Sequence, residues 1–143
     1  MMKKTLLMGT IPEVRPILAR IFSEHYDLVF CYEMREAVAA LEGGRIDAVG
    51  CSIYFDGGKT FELLRLMKGN PATRHIPFFT ASAAGAEMLP GVEQGIDIAT
   101  RALGGNGVIP FARWRREDGD AKAFRRLLDL FARTIRESEA RTG

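Results

Sequence analysis

The 143 residues, 47% hydrophobic and 27% charged, suit one domain with a real core rather than two comfortable ones, and exclude a disordered polymer. With 20 basic against 18 acidic side chains the net charge is +2, so any attraction for nucleic acid must come from a local patch and not from the whole surface.

Cys31 and Cys51 are too few for a disulfide framework and suit a reducing cytosol. After Lys3 and Lys4 the chain offers only TLLMG before Thr10, far short of a signal-peptide core, and its longest apolar runs are strand-length. The expectation is a cytoplasmic bacterial protein that does not enter a membrane.

Taken in order, Thr5 to Met8 is a short apolar run of the kind found in a buried parallel strand. Thr10 and Glu13 then read as a capping box, with Pro12 in the first turn. Val14, Ile17, Leu18, Ile21 and Phe22 follow at helical spacing, and Pro16 sits early enough to be tolerated. Tyr26 to Tyr32 reads as a second strand. Met34, Ala37, Val38 and Leu41 stripe a second helix, which Gly43 and Gly44 end. Ala48 to Ile53 is a third strand, and a Gly-rich loop leads to a helix begun by Phe61, Leu64 and Met67. Ile76 to Ala81 is a fourth strand. Val92, Ile96, Ala99 and Leu103 stripe a helix facing inward, and Gly107 to Phe111 is a fifth strand. Ala121 to Ser138 forms the last helix, with Phe124, Leu127, Leu128, Phe131 and Ile135 inward. The alternation predicts a parallel sheet covered on both faces.

Certain stretches carry a resemblance. MGTIPEVRPIL is similar to the first loop and helix of a two-component response regulator receiver domain, where two acidic residues bind Mg²⁺; those positions fall on Gly9 and Thr10. IDAVGCSIYF resembles the strand that ends in the phosphate-accepting Asp, here Ser52. IPFFTASA is similar to the fourth strand, whose switch hydroxyl falls on Ser82, followed by Ala83. GVIPF resembles the strand ending in Lys-Pro-Phe, with Ile109 at the Lys position. The resemblance implies a flavodoxin-like three-layer sandwich, a five-stranded parallel sheet in the order 2-1-3-4-5. The matches run over roughly residues 1–111, and the expectation is a single receiver-like domain over residues 1–138, with 112–120 an inserted loop before the last helix and 139–143 a frayed tail.

The same alignment removes the family's chemistry. Phosphoryl transfer to a receiver needs a carboxylate nucleophile and a divalent cation held by carboxylates. Gly9 and Thr10 offer one hydroxyl, Ser52 is a poor nucleophile without a base, and Ile109 cannot pair with a phosphoryl oxygen. Asp56, four residues past Ser52, reads as a turn former. No metal site or cofactor is expected: His25 and His75 lack partners at ligand spacing, and Gly57 and Gly58 are a weak phosphate signal. In the 2-1-3-4-5 order the strands bearing Cys31 and Cys51 are separated by the first strand, too far apart for a disulfide.

The stretch 112–126 is the main departure, with Arg113, Arg115 and Arg116 around the only tryptophan, Trp114. That composition suits an interface anchor, in which case truncating Trp114 should weaken association and spare stability. Single-strand nucleic-acid binding would want more aromatics. The reading is a phosphorylation-independent pseudo-receiver, not an enzyme, that works by protein contact in bacterial signalling. In the family, the face of the fourth helix, fifth strand and fifth helix docks partners, and self-association through it is one expectation. The alternative is a small-ligand or nucleotide sensor using the pocket left at Gly9, Thr10, Ser52 and Ser82.

Overall fold

The computed structural model describes residues 2–82 and 87–142. Five parallel strands lie in the order β2-β1-β3-β4-β5: β1 Lys4–Gly9, β2 Tyr26–Cys31, β3 Ala48–Ser52, β4 Phe78–Ala81 and β5 Val108–Ile109. The helices between them are α1 Arg15–Phe22, α2 Met34–Glu42, α3 Thr60–Lys68 and α4 Pro90–Ala102; α5 Phe111–Asp118 and α6 Asp120–Thr142 follow the sheet. This is the flavodoxin-like arrangement.

Period-two alternation along β1 divides the core. Leu6 and Met8 face a layer with α1, α5 and α6, where Phe22, Leu127 and Phe131 are buried; Leu7 faces α2 and α3, with Leu41, Leu63, Leu64 and Met67. Gly50 in β3 has a steric reason. A Cβ there would lie 3.2 Å from both Met8 Sδ and Phe131 Cζ. The Phe131 ring occupies that space and packs edge-on against Phe22 and Phe79, with centroids 5.3 and 5.2 Å apart.

Several boundaries differ from the sequence reading. The capping box at Thr10 and Glu13 does not form. Thr10 carries the hydrogen bonding one residue past the end of β1, its N–H donating to the Cys31 carbonyl of β2 at 2.9 Å, and Ile11 remains extended before a short 3₁₀ turn, Pro12–Val14. A capping box forms instead at α2, where Glu33 and Glu36 each accept the other's backbone N–H. Phe78–Ala81 and Val108–Ile109 are shorter than expected; Pro110 has no N–H to extend a ladder, and Phe111 already begins a helix.

The fourth helix also turns differently. Val92 was expected to face inward and is 49% exposed, as Leu89 and Ile98 are exposed. The helix is pinned through Thr100, fully buried, whose hydroxyl meets that of Thr80 at 2.9 Å and donates to Ile96 at 2.7 Å. Ala83 lies outside the described residues.

The largest correction is at 112–120. The expected inserted loop is helix α5, broken from α6 at Gly119 with φ of +81°. The expected frayed tail is helical through Thr142. Ser138 Oγ donates to the His75 carbonyl at 3.0 Å, and Glu139 pairs with Lys4 at 2.8 Å, so this end of α6 is tied back to the sheet.

Candidate functional site

The carboxyl ends of β1, β3 and β5 bring Gly9, Thr10, Ser52 and Ile109 around one cavity of about 30 Å³. The rest of its wall is apolar, including Met8, Ala81, Phe111 and Leu127. Among the described residues no carboxylate and no cation lines it. A space of that size takes about one water, whereas ligand pockets run from about 300 Å³, so the cavity is too small for the sensor alternative.

Each position is closed in its own way. Ser52 is 7% exposed, and its Oγ accepts the Tyr54 N–H at 3.0 Å, a local turn bond rather than an activated nucleophile. Ile109 is buried where a charged side chain would have to reach the pocket. Ser82 lies beside the cavity and does not line it. Its N–H donates to the Ile109 carbonyl and its carbonyl accepts from Ala112, so its backbone ties β4 to β5 and to the start of α5. Its buried hydroxyl has no partner among the described residues.

Gly9 is the most informative. It pairs with Cys31 on one side and Cys51 on the other. A Cβ on Gly9 would lie 3.0 Å from Cys51 Sγ and 3.1 Å from Phe55 Cδ1. Cys51 and the fully buried Phe55 ring therefore crowd the space where a carboxylate side chain at this position would begin, in the α2/α3 layer and so on the face of the sheet opposite the cavity. Sequence reasoning missed Phe55, although its place in the loop just after Ser52 was a usable signal.

Asp56 holds the loop of that ring in place. It is the non-glycine residue with positive φ among the described residues, at +43°. Its Oδ2 accepts the Met34 N–H at 2.9 Å at the start of α2 and lies 3.6 Å from Lys59 Nζ. The carboxylate nearest in sequence to Ser52 is thus committed to fastening a loop. Gly57 and Gly58 supply positive φ, and the N–H groups of Gly58 and Lys59 both donate to the Phe55 carbonyl, so they do not form an open phosphate cradle.

The residues present do not fit a divalent cation. Among the described residues no three His, Cys, Asp or Glu side chains come together, and the two aligned acidic positions are a glycine under a phenyl ring and a buried threonine. The cysteines are free and buried. Burial pushes the Cys51 thiol up to about 12 and the Cys31 thiol up to about 11, so neither supplies a thiolate near neutral pH.

Within the expected interface cluster, the structure places Trp114 in the core and the arginines in ion pairs. Trp114 is 5% exposed and joins the core with Phe111, Ala123 and Leu127. The Arg126 guanidinium lies 4.0 Å from its ring centroid. Arg113 forks onto Glu93 at 2.9 and 3.0 Å and reaches Glu117 at 2.7 Å. Arg115 forks onto Asp120, and Arg116 pairs with Glu87. These arginines clasp α5 to its neighbours. The signal overlooked was the i, i+3 spacing of Phe111 and Trp114, which marks a short helix with a buried face.

No protein-family model matches this sequence, and no curated protein sequence does either. Solved structures do match in fold. The chemotaxis response regulator CheY4 of Vibrio cholerae aligns at 16% identity with a TM-score of 0.68, over 92% of this chain and 99% of that one. The receiver domain of the sensor histidine kinase PA1611 from Pseudomonas aeruginosa, which holds a magnesium ion in its active-site cleft, gives 0.69 at 15% identity, over 94% and 98%. The signal receiver domain of an HD domain-containing protein from Pseudomonas fluorescens gives 0.72 at 12% identity, over 99% and 92%. The chain has the receiver fold.

Proposed function

We propose that this chain is a pseudo-receiver, a signalling module of the two-component type that works by protein contact, without phosphorylation and without catalysis, in the bacterial cytoplasm. One observation carries the reading. The positions that align with the receiver's metal ligands, acceptor and lysine line a small apolar cavity with no charged group among the described residues, while in the layer on the other face of the sheet Cys51 and the Phe55 ring crowd the space beside Gly9. Phosphoryl transfer depends on placing charge around a charged group, and this site places none. No helix among the described residues is long and apolar enough to cross a membrane. Protein docking is the remaining use of the fold, whether to another signalling protein or to a second copy.

The test is exposure to small phosphodonors and to beryllofluoride with Mg²⁺, followed by amide NMR. The expected result is no covalent phosphate and no shift at Ser52 or Ser82. A metal-dependent shift at either residue overturns the proposal.

A further inference from the structure

At the amino ends of β4 and β5, the opposite end of the sheet from the cavity described above, lies an open recess of about 210 Å³. The end of α3, the segments leading into β4 and β5, and the last turn of α6 form its walls. Four basic side chains line it, Lys68, Arg74, His75 and Arg141, together with the amide of Asn106. Among the described residues no carboxylate lines it. The acids of the neighbouring hollow are engaged elsewhere: Asp47 accepts the Thr5 N–H, and Glu139 pairs with Lys4, each at 2.8 Å.

The donors of this recess are largely unused. Lys68, half-buried, donates to the Arg74 and Ile76 carbonyls at 2.9 Å each, which leaves its third N–H without a partner among the described residues. Burial pulls its amine below the ordinary lysine range, a cost that an anion in the recess would offset. Asn106 Oδ1 accepts the Phe78 N–H at 3.0 Å, so the orientation of the amide is set and its NH₂ has no acceptor among the described residues. Cations at helix carboxyl ends commonly answer the helix dipole, and α3 and α6 end beside the recess. Arg74 and His75, however, stand outside any helix, and neither they nor Arg141 donate to a backbone carbonyl among the described residues.

The arrangement also selects among anions. Its donors arrive from separate segments of the chain, which suits a tetrahedral group with oxygens in several directions; a planar carboxylate is satisfied by one guanidinium fork. The full positive charges of Lys68, Arg74 and Arg141 match a dianion better than a monoanion. No Phe, Tyr or Trp lines the recess to stack a base, and ligand pockets ordinarily start from about 300 Å³, so a nucleotide does not suit it. We propose that this recess binds a phosphate dianion, free or as a short monoester, with its oxygens on Lys68, Arg74, Asn106 and Arg141. Such a ligand would fasten the end of α6 to the segment before β4, beside the bond from Ser138 Oγ to the His75 carbonyl. The inference is independent of the function proposed above, since it uses neither the cavity nor the docking face.

The test titrates the full chain with inorganic phosphate at constant ionic strength, with chloride as the balancing anion, and follows amide shifts. The expected result is saturable binding with shifts at Lys68, Arg74, His75, Asn106 and residues 138–142, and a melting temperature that rises with phosphate. Binding should be weaker by about tenfold or more in Arg74→Ala/Arg141→Ala. Both of those side chains are exposed, so without phosphate the variant should melt as the parent does. Glycerol phosphate in place of phosphate identifies the source: tighter binding assigns a monoester, equal or weaker binding assigns free phosphate, and either sustains the site. Acetate bound as tightly as phosphate overturns the proposal, as do shifts that follow ionic strength alone or fall at Gly9 and Ser52. Absence of saturable binding, or indifference to the arginine replacements, overturns it too.

Discussion

At the scale of single residues, the site is decided by what fills it. Ser52 could be replaced by Asp with little change in size, yet Gly9 and Thr10 would still hold no metal beside it. Ser52→Asp is therefore expected not to accept phosphate from small donors; phosphate recovered on that variant by intact mass would show that another group takes the metal's role. Trp114 carries the opposite lesson. Its ring is buried against the core and covered by Arg126, so Trp114→Ala is expected to cost about 3–5 kcal/mol of stability, measured by denaturant unfolding. A variant with unchanged stability and weakened association would return Trp114 to the interface role that its composition suggests. That Gly9, Thr10, Ser52 and Ile109 bring no carboxylate and no lysine to this place was legible in the sequence, because it depends only on which side chains stand at aligned positions. The sequence placed Phe55 near the site, in the loop after Ser52, but not its ring against Gly9 of the neighbouring strand, which is a fact of three-dimensional packing.

At the scale of elements, the strands were the more legible part. Apolar runs such as Ala48 to Cys51 announce burial directly, and the parallel order follows from alternation with helices. Gly50 gives this a quantitative check. Gly50→Leu drives a side chain into Met8 and Phe131 and is expected to cost about 1–3 kcal/mol, seen as a lowered melting temperature. The helices were less legible where charge disguised packing. Arginine-rich α5 reads as a loop until one sees that its charges are consumed by Glu87, Glu93, Glu117 and Asp120. Those pairs predict a pH dependence. The hydrogen bond from Arg116 holds the Glu87 carboxyl below its usual range, and that from Arg115 does the same for Asp120. A depressed value stabilises the fold above the unfolded-state value, about 4, and the contribution is lost as pH falls through the folded-state value. Acid titration should thus loosen α5 first, read from Trp114 fluorescence, and high salt should shrink the effect. A transition that salt leaves untouched would place its origin elsewhere.

At the scale of the whole molecule, the two faces of the sheet are built to different ends. The face carrying α2 and α3 is an apolar layer that includes Leu7, Leu41, Leu63 and Met67. The other carries α6, whose 23 residues run about 35 Å and so reach past the sheet they cover. One side of α6 supplies Leu127, Phe131 and Ile135 to the core, and another presents Lys122, Arg125 and Arg133 to solvent. The same helix thus both completes the fold and shapes a basic surface. The charge balance of the whole chain hid this, since +2 is the residue of two nearly equal populations that are sorted in space.

The contact between Phe55 and Gly9 also bears on which sequences lie within reach of this one. A chain acquiring an acidic side chain at position 9 would meet Cys51 Sγ and the Phe55 ring, and one that first shrank Phe55 to Ala would leave a hole costing about 3–5 kcal/mol. Against a total stability of about 5–15 kcal/mol, either single step is a severe handicap, while the two together relieve one another. A route by single substitutions to an acidic side chain at position 9 therefore crosses a valley of unstable intermediates. A double-mutant cycle on Gly9→Asp and Phe55→Ala should show the pair to be more stable than the sum of the single losses predicts; simple additivity would mean that the path was open all along.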